Sequence, residues 1–86
     1  MKVQLSLFGG FRDYQSSGVV ELEVMDGACV ADVRAALAAH AESQWAGFRP
    51  GLLKSSAFAS DTAVLREADP VPADGRMAIL PPVSGG

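Results

Sequence analysis

The sequence predicts an α+β domain in which one main helix lies across a single sheet of four to five strands. Three observations carry this reading. Two runs near the N-terminus alternate apolar and polar residues, a stretch from Val30 onward repeats its apolar residues at helical spacing, and a last apolar run stops at a pair of prolines. With 86 residues, 49% of them apolar, the chain suits one compact domain whose small core needs no staples.

The first strand covers Lys2 to Phe8, with Val3, Leu5 and Leu7 on one face and Lys2, Gln4 and Ser6 on the other. Gly9-Gly10 interrupts it. The polar run from Arg12 to Gly18 reads as a connecting loop, and Gly9-Gly10-Phe11 lacks the spacing and the lysine of a phosphate-binding loop, so it reads as a turn. In the second strand Val20, Leu22 and Val24 oppose Val19, Glu21 and Glu23, which completes an antiparallel hairpin with strand one. Glu21 and Glu23 resemble a pair of catalytic acids, but two residues apart on a solvated strand face they read as solvent-facing.

Asp26-Gly27 supplies a turn, after which Val30 to about Glu42 reads as a helix with an apolar stripe of Val30, Val33, Leu37 and Ala41, and Ala36 beside it. Its alanines favour helix intrinsically. His40, near the end of this helix, reads as a favourable C-terminal cation or a surface residue. From Ser43 to Lys54 the period is lost, and Gly47, Pro50 and Gly51 mark a loop. Its Trp45, Phe48, Leu52 and Leu53 are expected mostly to cover the open end of the core, with one or two available to a partner. A third strand is expected around Ser56 to Ser60, then a turn at Asp61-Thr62 and the short apolar run Ala63-Val64-Leu65. Asp74-Gly75 is a strong turn signal, and the final strand runs from Arg76 to Leu80.

Composition removes several function classes. Cys29 is the single cysteine and His40 the single histidine, so neither an internal disulfide nor a structural zinc site can form, and no metal is expected. Ten acidic residues against seven basic ones, a formal charge of −3, argue against binding a phosphate backbone and suit partners with basic docking surfaces. No nucleic acid is expected. No apolar run approaches the roughly 20 residues that span a bilayer, and none follows Lys2, so the expectation is a cytoplasmic protein without a membrane partner. No Ser/His/Asp set is assembled, no Cys/His pair stands at suggestive spacing and only one histidine is available for acid or base work, so the chain should not catalyse alone.

The remaining feature is the end of the chain, Ile79-Leu80-Pro81-Pro82-Val83-Ser84-Gly85-Gly86. Prolines donate no backbone hydrogen bond, so sheet pairing should stop at Leu80. Pro81 and Pro82 favour an extended path of about 3.1 Å per residue, which would let residues 81–86 reach roughly 19 Å from the body. The organisation expected is a domain over residues 1–80 and a flexible tail over residues 81–86. Gly85 and Gly86 carry no Cβ, so the chain end is narrow enough for a tunnel that a branched residue would block. The carboxylate of Gly86 is a poor acylating group until activated, for instance by adenylation, after which a sulfur or nitrogen nucleophile could take the acyl group. Leu80, with Phe8 or Leu65 nearby, is the candidate apolar anchor for docking.

Leu80-Pro81-Pro82-Val83-Ser84-Gly85-Gly86 resembles the C-terminus of the small, sulfur-carrier subunit of molybdopterin synthase, a ubiquitin-like family. The likeness extends to Leu7-Phe8-Gly9, Val30-Ala31-Asp32-Val33-Arg34 and Asp74-Gly75. It implies a β-grasp fold with a mixed sheet. It further implies that the Gly86 carboxylate is adenylated by an activating enzyme that uses ATP and is converted to a thiocarboxylate by a sulfur donor. Pro81, Pro82, Val83, Ser84 and Gly85 would then thread into the large catalytic subunit, in a hetero-tetramer, to sulfurate precursor Z. No tightly bound cofactor is implied. Two departures stand out: Cys29 takes the place of a threonine or serine N-cap, although Asp32 is present to close the capping box, and Arg76-Met77 follow Gly75 where the family commonly has an acid. Cys29 could be a helix-terminus thiol that takes sulfur, but Ala28 and Val30 offer it no activating charge, and a small residue serving as a weak cap is the favoured reading. Two other functions stay open: a carrier of the same chemistry feeding thiamine or cysteine synthesis, whose tails usually lack Pro-Pro, and a ubiquitin-like interaction or conjugation module that carries no sulfur.

Overall fold

The computed structural model describes residues 1–82. The strands are β1 (Lys2–Leu7), β2 (Val19–Glu23), β3 (Ala57–Ala59), β4 (Val64–Leu65) and β5 (Arg76–Leu80), and the helices are α1 (Val30–Gln44) and the short α2 (Pro50–Lys54). They form one mixed sheet in the order β2-β1-β5-β3-β4, with α1 across one face, which is a β-grasp fold. The pairs β1/β2, β3/β5 and β3/β4 are antiparallel, and β1/β5 is parallel. First and last strands therefore lie side by side and leave the sheet at the same end, with Leu7 beside Ile79.

Alternation decides which face is buried. Val3, Leu5, Leu7, Val20, Leu22, Phe58, Met77 and Ile79 point inward and meet Val30, Val33, Leu37 and Ala41, the helical stripe expected from the sequence. Cys29 precedes α1 with extended backbone, and its N–H donates to Asp32 Oδ2 at 2.9 Å, so the carboxylate half of the capping box forms without a hydroxyl partner. β5 ends at Leu80, immediately before the prolines.

Three readings of the connections are corrected. Gly9–Asp13 is a 3-10 helix rather than a plain turn, because Phe11 is fully buried and draws the chain inward. The stretch expected to be one loop contains α2: Pro50 supplies a fixed helical φ at its start, and Leu53 is buried against the core. His40 lies outside the last turn of α1 and is not a surface residue. The last turn of α1 holds no base, and the half-buried imidazole packs edge-on to Trp45, with centroids 5.6 Å apart. Trp45 itself closes the end of the core, as expected, among Phe11, Tyr14 and Phe48, and its indole N–H donates to Gln15 Oε1 at 3.0 Å.

Arg34 ties the helical layer to the sheet. Its Nε and Nη2 donate to the two carboxylate oxygens of Glu67 at 2.9 and 2.7 Å, Nη2 also donates to the Ser56 carbonyl at 3.0 Å, and Nη1 donates to the Leu53 carbonyl. The guanidinium lies 4.9 Å from the centroid of the Phe58 ring. One side chain thus joins α1, the end of α2, the entry to β3 and the segment after β4, using the planar fork that only arginine provides.

Candidate functional site

The candidate site is the end of the sheet where β5 gives out. Parallel pairing sets Leu7 and Ile79 side by side in the core, so the next residue of each chain, Phe8 and Leu80, turns to the opposite, helix-free face. Phe8 is 46% exposed, which is unusual for so large an apolar side chain. The register carries the same face outward through Ala57, which pairs with Leu80, and through Ala78, Ala59 and Val64. Val64 is 66% exposed. An apolar strip therefore runs from the chain exit toward the β4 edge, and the side nearer Gln4 and Ser6 turns polar, with Asp61 and Arg76 beside a shallow hollow.

Among the three anchors suggested by sequence, the structure unites Phe8 and Leu80 and separates Leu65. Leu65 pairs with Phe58 and packs partly buried against the core, on the helix side of the sheet. Its neighbour Val64 occupies the accessible face instead. A two-residue strand has too few alternations to show its inward side, which is why the sequence did not distinguish them. Pro81 is half-buried and Pro82 exposed. Val83, Ser84, Gly85 and Gly86, the rest of the expected tail, lie outside the described residues.

Other candidates fall elsewhere. Cys29 is reached soon after β2 ends beside Lys2, at the end of the sheet opposite the chain exit. Its thiol donates to Asp32 Oδ2 at 3.4 Å, a negatively charged neighbour rather than an activating cation. Cys29→Thr is therefore expected to raise stability by about 0.5 to 1 kcal/mol through a better N-cap. Denaturant melts check this, and an unchanged stability would show that the thiol caps the helix as well as a hydroxyl does. Glu21 and Glu23 are exposed, and Glu21 pairs with Lys2 at 3.4 Å, as befits a solvated edge strand. Among the described residues no three His, Cys, Asp or Glu side chains gather to hold a metal ion, and no helix is long and apolar enough to cross a membrane.

The fold and the placement of this exit define a class, the ubiquitin-fold carriers, in which a β-grasp body presents the chain end that follows its last strand. The ThiS family model matches residues 5–86, nearly the whole chain, and the chain belongs to that family of sulfur carriers. The crystal structure of SAMP1 from Haloferax volcanii is similar over its full length, with a TM-score of 0.71, 25% identity and 100% of each chain covered. No curated protein matches the chain. Members of this family are generally non-catalytic and work with activating and catalytic enzymes.

Proposed function

We propose that the chain is the sulfur-carrying small subunit of molybdopterin synthase. The observation that carries the reading is the join between strand and tail: β5 stops at Leu80, and Pro81-Pro82-Val83-Ser84-Gly85-Gly86 follows with two prolines and two glycines. Residues 1–80 serve as the docking body and residues 81–86 as a thread that places the reacting atom.

The chemistry belongs to partners acting on Gly86. A carboxylate oxygen attacks the α-phosphorus of ATP on the activating enzyme and pyrophosphate leaves; hydrosulfide from a sulfide-level donor then adds to the acyl carbon and AMP leaves, giving a thiocarboxylate with no change of oxidation state. Within the large subunit the thiocarboxylate sulfur forms a C–S bond to precursor Z as an oxygen substituent leaves that carbon, and water hydrolyses the resulting thioester to return the carboxylate. ATP is consumed by the activating enzyme, and no cofactor is held by the carrier. The Phe8–Leu80 strip docks the body, since a central, desolvated apolar anchor supplies most of the affinity in small interfaces.

Intact-mass analysis of the protein from its native host tests the carrier chemistry. A thiocarboxylate is heavier by the difference between one sulfur and one oxygen atom, whereas conjugation adds a whole protein and would overturn the carrier reading. Removing the gene should abolish molybdenum-enzyme activity in the host. A requirement for thiamine or cysteine, with molybdenum enzymes intact, would instead assign the carrier to those pathways. For the docking strip, Leu80→Ala and Phe8→Ala are each expected to weaken binding to the large subunit roughly tenfold or more. Calorimetric affinity beside a thermal melt checks this, and unchanged affinity in both variants would move the interface elsewhere.

A further inference from the structure

Gly9 sits where the parallel pair of strands comes apart. Leu7 pairs with Ile79, so continuing the register brings Phe8 beside Leu80 and Gly9 beside Pro81. At Gly9 the chain takes φ +59° and swings out of β1 into the 3-10 helix, whose Phe11 is fully buried and whose Phe11 N–H donates to the Phe8 carbonyl at 3.3 Å. The glycine is thus held from behind. In front of it lies the Pro81 ring: a Cβ on Gly9 would stand 2.6 Å from Pro81 Cγ, 3.5 Å from Cδ and 3.7 Å from Cβ. Gly47, at φ +73°, and Gly27, at φ +84°, have nothing within 4 Å of the same point, so only backbone angle demands glycine there. Gly9 answers both to its angle and to close approach.

We propose that Gly9 is a positioning residue for the carrier tail: its bare Cα is the seat of the Pro81 ring, and that seat sets the direction in which the chain leaves the sheet. The ring closes onto the backbone nitrogen and locks φ, so Pro81 cannot swing aside as a flexible side chain would. Whatever displaces the ring re-aims the chain that follows. The consequence for turnover rests on the carrier reading above, while the seat itself does not. Reacting atoms must be brought to near-attack geometry, and a misplacement of about 1 Å can cost roughly a hundredfold in rate.

The test uses Gly9→Ala, Pro81→Ala, the double variant and Gly47→Ala, the last reproducing a left-handed alanine with no ring to strike. Nuclear Overhauser contacts between the Gly9 α-protons and the Pro81 ring, with residual dipolar couplings over residues 78–82, report the seat in the isolated protein. Thiocarboxylate formation in an ATP-supplied extract of the native host, followed by intact mass at several carrier concentrations, reports function. Gly9→Ala is expected to shift the couplings and cut the maximal rate about ten- to hundredfold, with half-saturation moving less than about twofold. Gly47→Ala should leave rate and half-saturation near wild type. The double variant should fall no further than Pro81→Ala alone, because the offending ring is gone and the two losses are not additive. Absent Gly9–Pro81 contacts in the wild type, a wild-type rate in Gly9→Ala, or losses that multiply in the double variant would each overturn the proposal. If the wild type is never thiocarboxylated, the carrier reading falls, and the couplings alone decide the seat: unchanged values in Gly9→Ala refute it, shifted values uphold it.

Discussion

Deleting Gly86 is expected to abolish sulfur transfer while the melting temperature and partner affinity stay close to wild type. The reasoning is geometric. On the proposed function the body docks through the strip around Phe8 and Leu80, which the deletion does not touch, so binding should persist. A carboxylate on Gly85 has the same chemistry but stops one residue short, roughly 3.3–3.6 Å, and adenylation needs the oxygen within about 3–3.5 Å of the phosphorus it attacks. Binding without turnover is therefore the signature. Single-turnover thiocarboxylate formation beside calorimetry on the truncated chain checks both halves. A truncated carrier that still supported cofactor synthesis would refute the carrier reading, and one that lost docking as well would show that the tail contributes to affinity.

The second large effect is on stability. Arg34→Ala is expected to cost about 2–3 kcal/mol, because it withdraws charged donors from the Leu53 and Ser56 carbonyls and removes the packing of its stem. For a domain of this size that is a fall of roughly 10–20 °C in melting temperature. Arg34→Lys should recover only part of it, since an ammonium cannot serve Glu67 in a fork and reach both carbonyls. Glu67→Gln should cost less than about 1 kcal/mol, because the carboxylate is half exposed and the pair is screened. The two components differ in pH dependence. The hydrogen bond from Arg34, aided by its charge and opposed by slight desolvation, holds the Glu67 carboxyl below the usual glutamate range. A depressed acid stabilises the fold fully above its unfolded pKa and loses that contribution as pH falls through its folded pKa. The gap between wild type and Glu67→Gln should therefore be present at neutral pH and close below the ordinary glutamate range, whereas the carbonyl contacts of Arg34 persist. Chemical denaturation across pH measures it, and a gap that widened on acidification would contradict the assignment.

Much of the architecture is legible in the chain because it is written in short-range periodicity. Val3, Leu5 and Leu7 on one strand, Leu22 and Val20 on the next, and Val30, Val33, Leu37 and Ala41 on the helix each declare an inward face through the spacing of their own element. The end of the last strand is equally local, since Pro81 removes the donor that a further rung requires. The tail's Pro81-Pro82 and Gly85-Gly86 likewise need only the order of residues, and they carry the resemblance to a sulfur-carrier family.

Other features depend on partners distant in sequence. Phe11 stands in a run with no period, and its burial follows from the space left beneath Trp45 and α1. α2 is too short to show a repeat and is held by Leu53 in the core and by Arg34 on the Leu53 carbonyl. Leu65 and Val64 are both apolar, and only pairing with Phe58 and Ala59 shows which faces the core. The approach of Gly9 to Pro81 joins the first strand to the last, and nothing near either residue announces it. Periodicity is a property of one segment, and it determined the longer strands, the main helix and their buried faces, just as the missing donor of Pro81 determined where the last strand stops. Register and close approach are properties of two segments at once, so only the tertiary structure decided that the first and last strands run in parallel, that Phe8, Leu80 and Val64 share an accessible face, and that Gly9 lies close against the Pro81 ring.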